Sequence, residues 1–180
     1  MRKVLFILGQ LTDADADWLS EHGKRMRVAK GTELIKHGTQ IDTVYIILEG
    51  AMAVMTARGV RLAQVASGDI LGEMSMVDSS PTSASVVVEQ DSLVLALSKQ
   101  QLMDKLKQDV GFAARFYRAL ALFLADRMRN TISRMGYGAG DAGDAVDAPS
   151  ADDGELDEGV LDNVHLAGAR FERMLKKLAG

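Results

Sequence analysis

The chain of 180 residues contains no cysteine, which excludes disulfides, thiolate zinc sites and cysteine nucleophiles. Proline is almost absent: Pro81 and Pro149 are the two, and both fall outside the apolar runs, as strand interiors require. No apolar run approaches the roughly 18 residues that a transmembrane helix needs, so no membrane association is expected. The N-terminal run Val4 to Leu8 is too short for a signal-peptide core, and Asp13, Asp15 and Asp17 follow it without a cleavage-like site. Histidine is sparse as well. His22, His37 and His165 lie in three separate segments, so a cupin-type iron site lacks its cluster and no metal site is expected. Gly-x-Ser-x-Gly, P-loop, Gly-x-Gly-x-x-Gly and His-x-x-x-His patterns are also missing. A non-enzymatic, cytoplasmic protein is the expectation.

The charge that is present is unevenly spread. Net charge is −4, yet Gly136 to Gly159 alone holds eight acidic residues and no basic one. Outside that segment 21 basic residues face 17 acidic ones, without the dense Lys/Arg run of a nucleic-acid arm. Glycine, alanine, aspartate and glutamate supply 19 of its 24 residues, a composition that buries too little apolar surface to offset its ordering entropy. Asp141, Asp144 and Asp147 are spaced by three, whereas a calcium loop wants oxygen ligands at alternate positions. The segment 136–159 therefore reads as an acidic linker.

Before it, the texture changes twice. Thr12 with Asp15 fits a capping box, acidic residues crowd the first turn, and Gly23 sits where a C-cap glycine belongs. Trp18 and Leu19 would be the inward face of that helix. From Arg25 to Lys99, short β-branched runs are punctuated by Gly31, Gly38, Gly50, Gly59 and Gly68. Between and after them lie TVYIILE, AMAVMTA, VRLAQVA, SASVVVEQ and SLVLALS. Strands at this spacing predict an antiparallel sandwich or barrel. Several of the runs are too apolar for simple alternation, so some strands are expected to be covered on both faces. Ser98 with Gln101 opens a short helix through Lys107. From Asp109 to Met135, Phe112, Phe116, Leu120, Phe123, Leu124, Met128, Ile132 and Met135 recur at helical spacing. Such a helix would be about 40 Å long. One small β-domain cannot cover that stripe, so a homodimer through this helix is expected. A last amphipathic helix, 160–180, buries Val160, Val164, Ala167, Phe171, Met174, Leu175 and Leu178 and ends in Arg173, Lys176 and Lys177, which suit a helix C-terminus. The expected units are thus 1–108, 109–135, 136–159 and 160–180.

The functional signal lies in Gly68 to Val88, GDILGEMSMVDSSPTSASVVV, together with GTELIKHGTQIDTVYIILEGAMAV upstream, where Gly31, Leu34, Gly38, Tyr45, Leu48 and Gly50 stand at matching places. Over about residues 10 to 135 the chain resembles the cyclic nucleotide-binding domain family, the β-roll of catabolite activators and kinase regulatory subunits. The resemblance implies a mainly β fold, an antiparallel jelly-roll β-roll flanked by helices with a long C-helix. It also implies a phosphate-binding cassette. There Gly72 lets the backbone approach the ligand, and the turn that follows, with Met74 and Ser75, points N–H groups at the phosphate. Glu73 matches the glutamate that accepts a hydrogen bond from the ribose 2′-hydroxyl, and Ser83 the position that donates to the phosphate.

One position departs from the family pattern. The family places an arginine after the cassette proline, and here Thr82 follows Pro81. A charge-assisted contact to phosphate is about twice as strong as a neutral one, so Thr82 argues against standard cyclic AMP as the ligand. Arg58, Arg61, Arg127 and Arg129 are the cations that could compensate. Two readings stay open. One is a sensor whose pocket takes a cyclic mono- or dinucleotide. The other is a ligand-free adaptor whose C-terminal helix lies in the groove of a protein partner. DNA binding is not expected: a single helix follows the linker, too little for a helix-turn-helix, and the linker would repel phosphate.

Overall fold

The computed structural model describes residues 4–78, 80–134 and 158–179. Eight strands build two antiparallel four-stranded sheets: β1 (Lys24–Val28), β2 (Glu33–Ile35), β3 (Thr43–Glu49), β4 (Ala51–Met55), β5 (Arg61–Ala66), β6 (Ile70–Leu71), β7 (Ser85–Val88) and β8 (Ser92–Ser98). Strand order is β1-β8-β3-β6 in one sheet and β2-β7-β4-β5 in the other. The two antiparallel sheets agree with the sandwich that the glycine spacing allows, and their order is the jelly-roll β-roll that the resemblance implies. TVYIILE and SLVLALS are β3 and β8 end to end. The three-residue β2 and two-residue β6 are too short to show a period of their own.

The reason for the apolar excess in β3 and β8 is that both faces of their sheet are covered. Ile47 and Val94 point between the sheets, into a core shared with Met52, Val54, Val65, Leu71, Val86 and Val88. Val44, Ile46, Leu48, Leu95 and Leu97 point the other way, under the helices. Five helices form that cover: α1 (Val4–Gln10), α2 (Asp13–His22), α3 (Lys99–Gln108), α4 (Val110–Arg134) and α5 (Glu158–Ala179). The run at Val4 is thus the start of a helix rather than an isolated apolar patch. No helix among the described residues is long and apolar enough to cross a membrane.

The capping box of α2 is complete: Asp15 N donates to Thr12 Oγ1 at 3.2 Å, and Thr12 N donates to Asp15 Oδ2 at 2.8 Å. The same carboxylate receives Arg115 of α4, Nε to Oδ2 at 2.7 Å and Nη2 to Oδ1 at 3.0 Å. Burial pushes the Asp15 carboxyl up, but the hydrogen bonds from Arg115 and Thr12 outweigh it and hold the group below the usual carboxylate range. Gly23 needs a different reason from the expected one. Its φ is −85°, open to any residue, but a Cβ there would lie 2.4 Å from Leu95 Cδ1. The position demands a bare backbone because α2 crosses β8 at that point.

The long helix begins after Asp109, whose Oδ1 accepts from Phe112 N at 2.8 Å. Its stripe is covered within one chain further than its periodicity suggests. Phe112, Phe116, Ala119, Leu120 and Phe123 are all buried in a cluster with Ile7, Leu8 and Leu11 of the N-terminal segment and Ala167, Phe171 and Met174 of α5. Val110, Tyr117, Leu122 and Met128 remain outward and exposed.

The C-terminal helix starts at Glu158 and docks on the body of its own chain, against α1 and α2. Residues 136–157 of the expected linker lie outside the described residues. Arg170 pairs with Asp13 at 2.7 Å, Arg173 with Asp17 at 2.6 Å and Lys177 with Glu21 at 2.6 Å. Arg173 and Lys177 therefore serve α2 rather than the C-terminal carbonyls of their own helix. Ala167, Phe171 and Met174 are thus buried within the chain itself, while the side chains of Val160 and Val164 lie outside the described residues. Met174 is 1% exposed. Met174→Ala should cost about 2–5 kcal/mol in urea unfolding. A loss below about 0.5 kcal/mol, typical of a surface site, would show that α5 is not docked.

Candidate functional site

The site forms where β6 leaves the first sheet. Gly72 takes φ 79°, and a Cβ there would meet Ile41 Cδ1 at 2.7 Å and Thr43 O at 2.9 Å. Only glycine satisfies both the left-handed backbone and the space. A 3-10 turn, Glu73–Met76, follows, tightened by Ser75 Oγ donating to Gly72 O at 2.6 Å. The turn carries Glu73 inward, to 2% exposure, and Met74 outward.

Across from it runs 80–84. The two segments and one helix enclose a cavity of about 150 Å³ whose lining includes Gly72, Glu73, Met74, Ser75, Thr82 and Ser83. All six residues singled out in the sequence thus meet in one place. Ile35, Ile41, Val54, Leu71 and Val86 supply its apolar floor, and Asp78 and Arg127 its remaining charges. None of these seven carried a recognisable signal on its own, with the exception of Arg127. It follows Phe116, Leu120 and Phe123 in the buried row of α4, where a charge needs a partner.

That partner is Glu73. Arg127 Nη1 donates to Glu73 Oε1 at 2.6 Å, and the guanidinium lies 6.0 Å from the centre of the Phe123 ring. Burial raises the Glu73 pKa by more than Arg127 pulls it down, and Asp69 adds to the rise. Removing Arg127 would leave the buried Glu73 carboxylate without this charge-assisted hydrogen bond. Of the four arginines that could compensate for Thr82, Arg127 alone lines the pocket, whereas Arg61 pairs with Glu89 at 2.8 Å on the surface.

Thr82 has a role that its place in the motif did not reveal. Its hydroxyl donates to Lys36 O and accepts from Thr39 N, and its backbone N–H and C=O bond Thr39 O and Gly38 N. The side chain ties the cassette to the turn after β2, so its one proton is committed to the backbone. His37 N donates in the same way to Ser85 Oγ at 3.0 Å. Ser83 is exposed at the mouth.

Comparison with known proteins agrees with this geometry. Residues 25–109 match the family model described as the cyclic nucleotide-binding domain. This segment is a cyclic nucleotide-binding domain. A structure of such a domain from Methylobacillus flagellatus is 24% identical, with a TM-score of 0.67 over 74% of this chain and 80% of that one. An uncharacterised NTE family protein of Mycobacterium tuberculosis is 26% identical over 81% of this chain, which spans 25% of that protein's length. The Pycsar effector protein XpPycTIR of Xanthomonas perforans is 30% identical over 62% of this chain and 37% of its own. In this domain Thr82, where the resemblance expects an arginine, ties the loop after Pro81 to the turn after β2. Thr82→Val should therefore lower stability by about 1–2 kcal/mol through two lost hydrogen bonds, measured by urea denaturation. An unchanged midpoint would mean that the hydroxyl faces the pocket instead.

Proposed function

We propose that the chain is a non-enzymatic regulatory sensor whose pocket takes a cyclic nucleotide. The observation that carries this reading is the convergence of Gly72, Glu73, Met74, Ser75, Thr82 and Ser83 on one cavity, to whose lining α4 adds Arg127. Glu73 is the acceptor for a ribose hydroxyl. The hydroxyl of Ser83 and the backbone of the 3-10 turn are donors for the phosphate, and the apolar floor takes the base. Thr82 contributes the shape of the loop rather than a charge. Because Arg127 of α4 lines the cavity and α4 is part of the helical layer, occupancy of the pocket is felt by that layer. The reading favours a ligand other than standard cyclic AMP, either another cyclic mononucleotide or a cyclic dinucleotide.

A thermal-shift screen of the full chain against both ligand classes tests it. A ligand at one hundred times its dissociation constant stabilises the fold by about 2.7 kcal/mol, so at least one compound should raise the midpoint visibly. A flat response across the panel overturns the sensor reading in favour of a protein-binding adaptor.

The regulatory unit is a homodimer. Val110, Ala114, Tyr117, Ala121 and Met128 stand outward on α4 at the alternating four- and three-residue spacing of a coiled-coil seam, with Leu124 between the last two. The small alanines allow two such helices to approach closely. Light scattering at tens of micromolar should give twice the chain mass, falling to one chain in Tyr117→Glu/Met128→Glu. A monomeric wild type would remove the dimer from the proposal.

A further inference from the structure

The geometry points to Arg127 as the anion-binding residue of the pocket, exchanging Glu73 for the ligand's phosphate while the ligand's ribose hydroxyl takes over Glu73. This rests on the reading that the pocket takes a cyclic nucleotide. A cyclic phosphodiester brings one negative charge into a cavity whose described lining holds two carboxylates, Glu73 and Asp78, and one cation, Arg127. Without that cation the ligand's charge would face like charges across a small, half-apolar space. Thr82 cannot supply the missing attraction, because its hydroxyl is held by Lys36 O and Thr39 N.

Arg127 is placed to make the exchange. Its side chain is 32% exposed while Glu73 is 3% exposed, so the guanidinium sits at the rim and the carboxylate in the interior. A guanidinium presents five N–H donors in a planar fork suited to two oxygens of a phosphate. Turning it from Glu73 to a ligand at the rim moves the solvated member of the pair and leaves the buried one in place. Glu73 then keeps the hydrogen bond from its own backbone, and a ribose 2′-hydroxyl adds a donor where Arg127 stood. The two contacts depend on each other: a ligand with the charge but no hydroxyl does not replace the donor that Glu73 loses, and one with the hydroxyl but no charge does not draw Arg127 away. The cation has in effect moved from the cassette to the helix that covers it.

Calorimetry on the full chain tests this with the 3′,5′-cyclic monophosphates of adenosine, guanosine, cytidine and uridine. Wild type should bind at least one. Arg127→Gln should weaken that ligand about a hundredfold, the scale expected when the cationic half of a desolvated pair is removed, and Arg127→Lys should recover part of the loss. The neutral methyl phosphotriester of the same nucleotide should bind wild type about a hundredfold more weakly than the parent. In Arg127→Gln the two ligands should bind alike. The ester on wild type carries the test even if the glutamine variant does not fold. If none of the four nucleotides binds wild type, the cyclic-mononucleotide reading of the pocket falls. If one binds wild type and either the ester or Arg127→Gln matches the parent affinity, that reading stands and the assignment of Arg127 is overturned.

Discussion

The structure depends on one sheet being covered on both sides. β3 and β8 carry apolar side chains on both faces, Ile47 and Val94 toward the second sheet and Val44, Ile46, Leu95 and Leu97 toward the helices. Neither face can be left in water at roughly 25 cal/mol per Å² of exposed apolar surface. The roll alone covers one face. The other needs a helical layer, and the layer includes α4, which reaches the pocket. The placing of Arg127 in the cavity wall is thus built into the same requirement that holds the sheet together.

Within that layer charge decides position where apolar contact cannot. The apolar driving force is non-directional: it sets which face of a helix turns inward without naming point-to-point partners. Asp15 fixes α4 at one place by receiving Arg115 through two hydrogen bonds while it caps α2. Glu73 fixes it at a second through Arg127, twelve residues on, which is about 18 Å along a helix. Both carboxylates are buried, and both depend on an arginine whose stem crosses apolar surface. The two pairs differ in direction: hydrogen bonding prevails at Asp15, and burial prevails at Glu73.

The long strands, the capping box of α2 and the long helix were legible because each leaves a local pattern: an apolar run between glycines, a Thr-x-x-Asp, a 3.6-residue period. The cassette was legible because its residues are consecutive in the chain. What the chain order hides is meeting across space. Arg127 lies 54 residues from Glu73, and nothing in its surroundings names the partner. Thr82 read as the loss of a charge, yet in the structure it is a tie between two loops, because its hydroxyl bonds are made to the backbone of Lys36 and Thr39. Gly23 read as a cap and is one, its N–H donating to Leu19 O, but what keeps a side chain from that position is Leu95 across the contact. The apolar stripe of α4 read as a seam for a second copy, while α1 and α5, distant in sequence at either end, take its first half.

The pairing of α5 with α2 has a consequence for how that helix finds its place. Asp13, Asp17 and Glu21 repeat every four residues, and Arg170, Arg173 and Lys177 repeat nearly so. A ladder this regular is ambiguous about its own frame. Displaced by one turn, Arg170 would face Asp17 and Arg173 would face Glu21, and two of three pairs would survive. Exposed pairs are also individually weak and screened by salt. The charges therefore select which face of α5 turns inward without selecting its axial position. That choice falls to contacts that do not repeat: Arg170 Nη1 also donates to Leu8 O at 2.9 Å at one end, and Arg25 Nη1 donates to Leu178 O at 2.8 Å at the other.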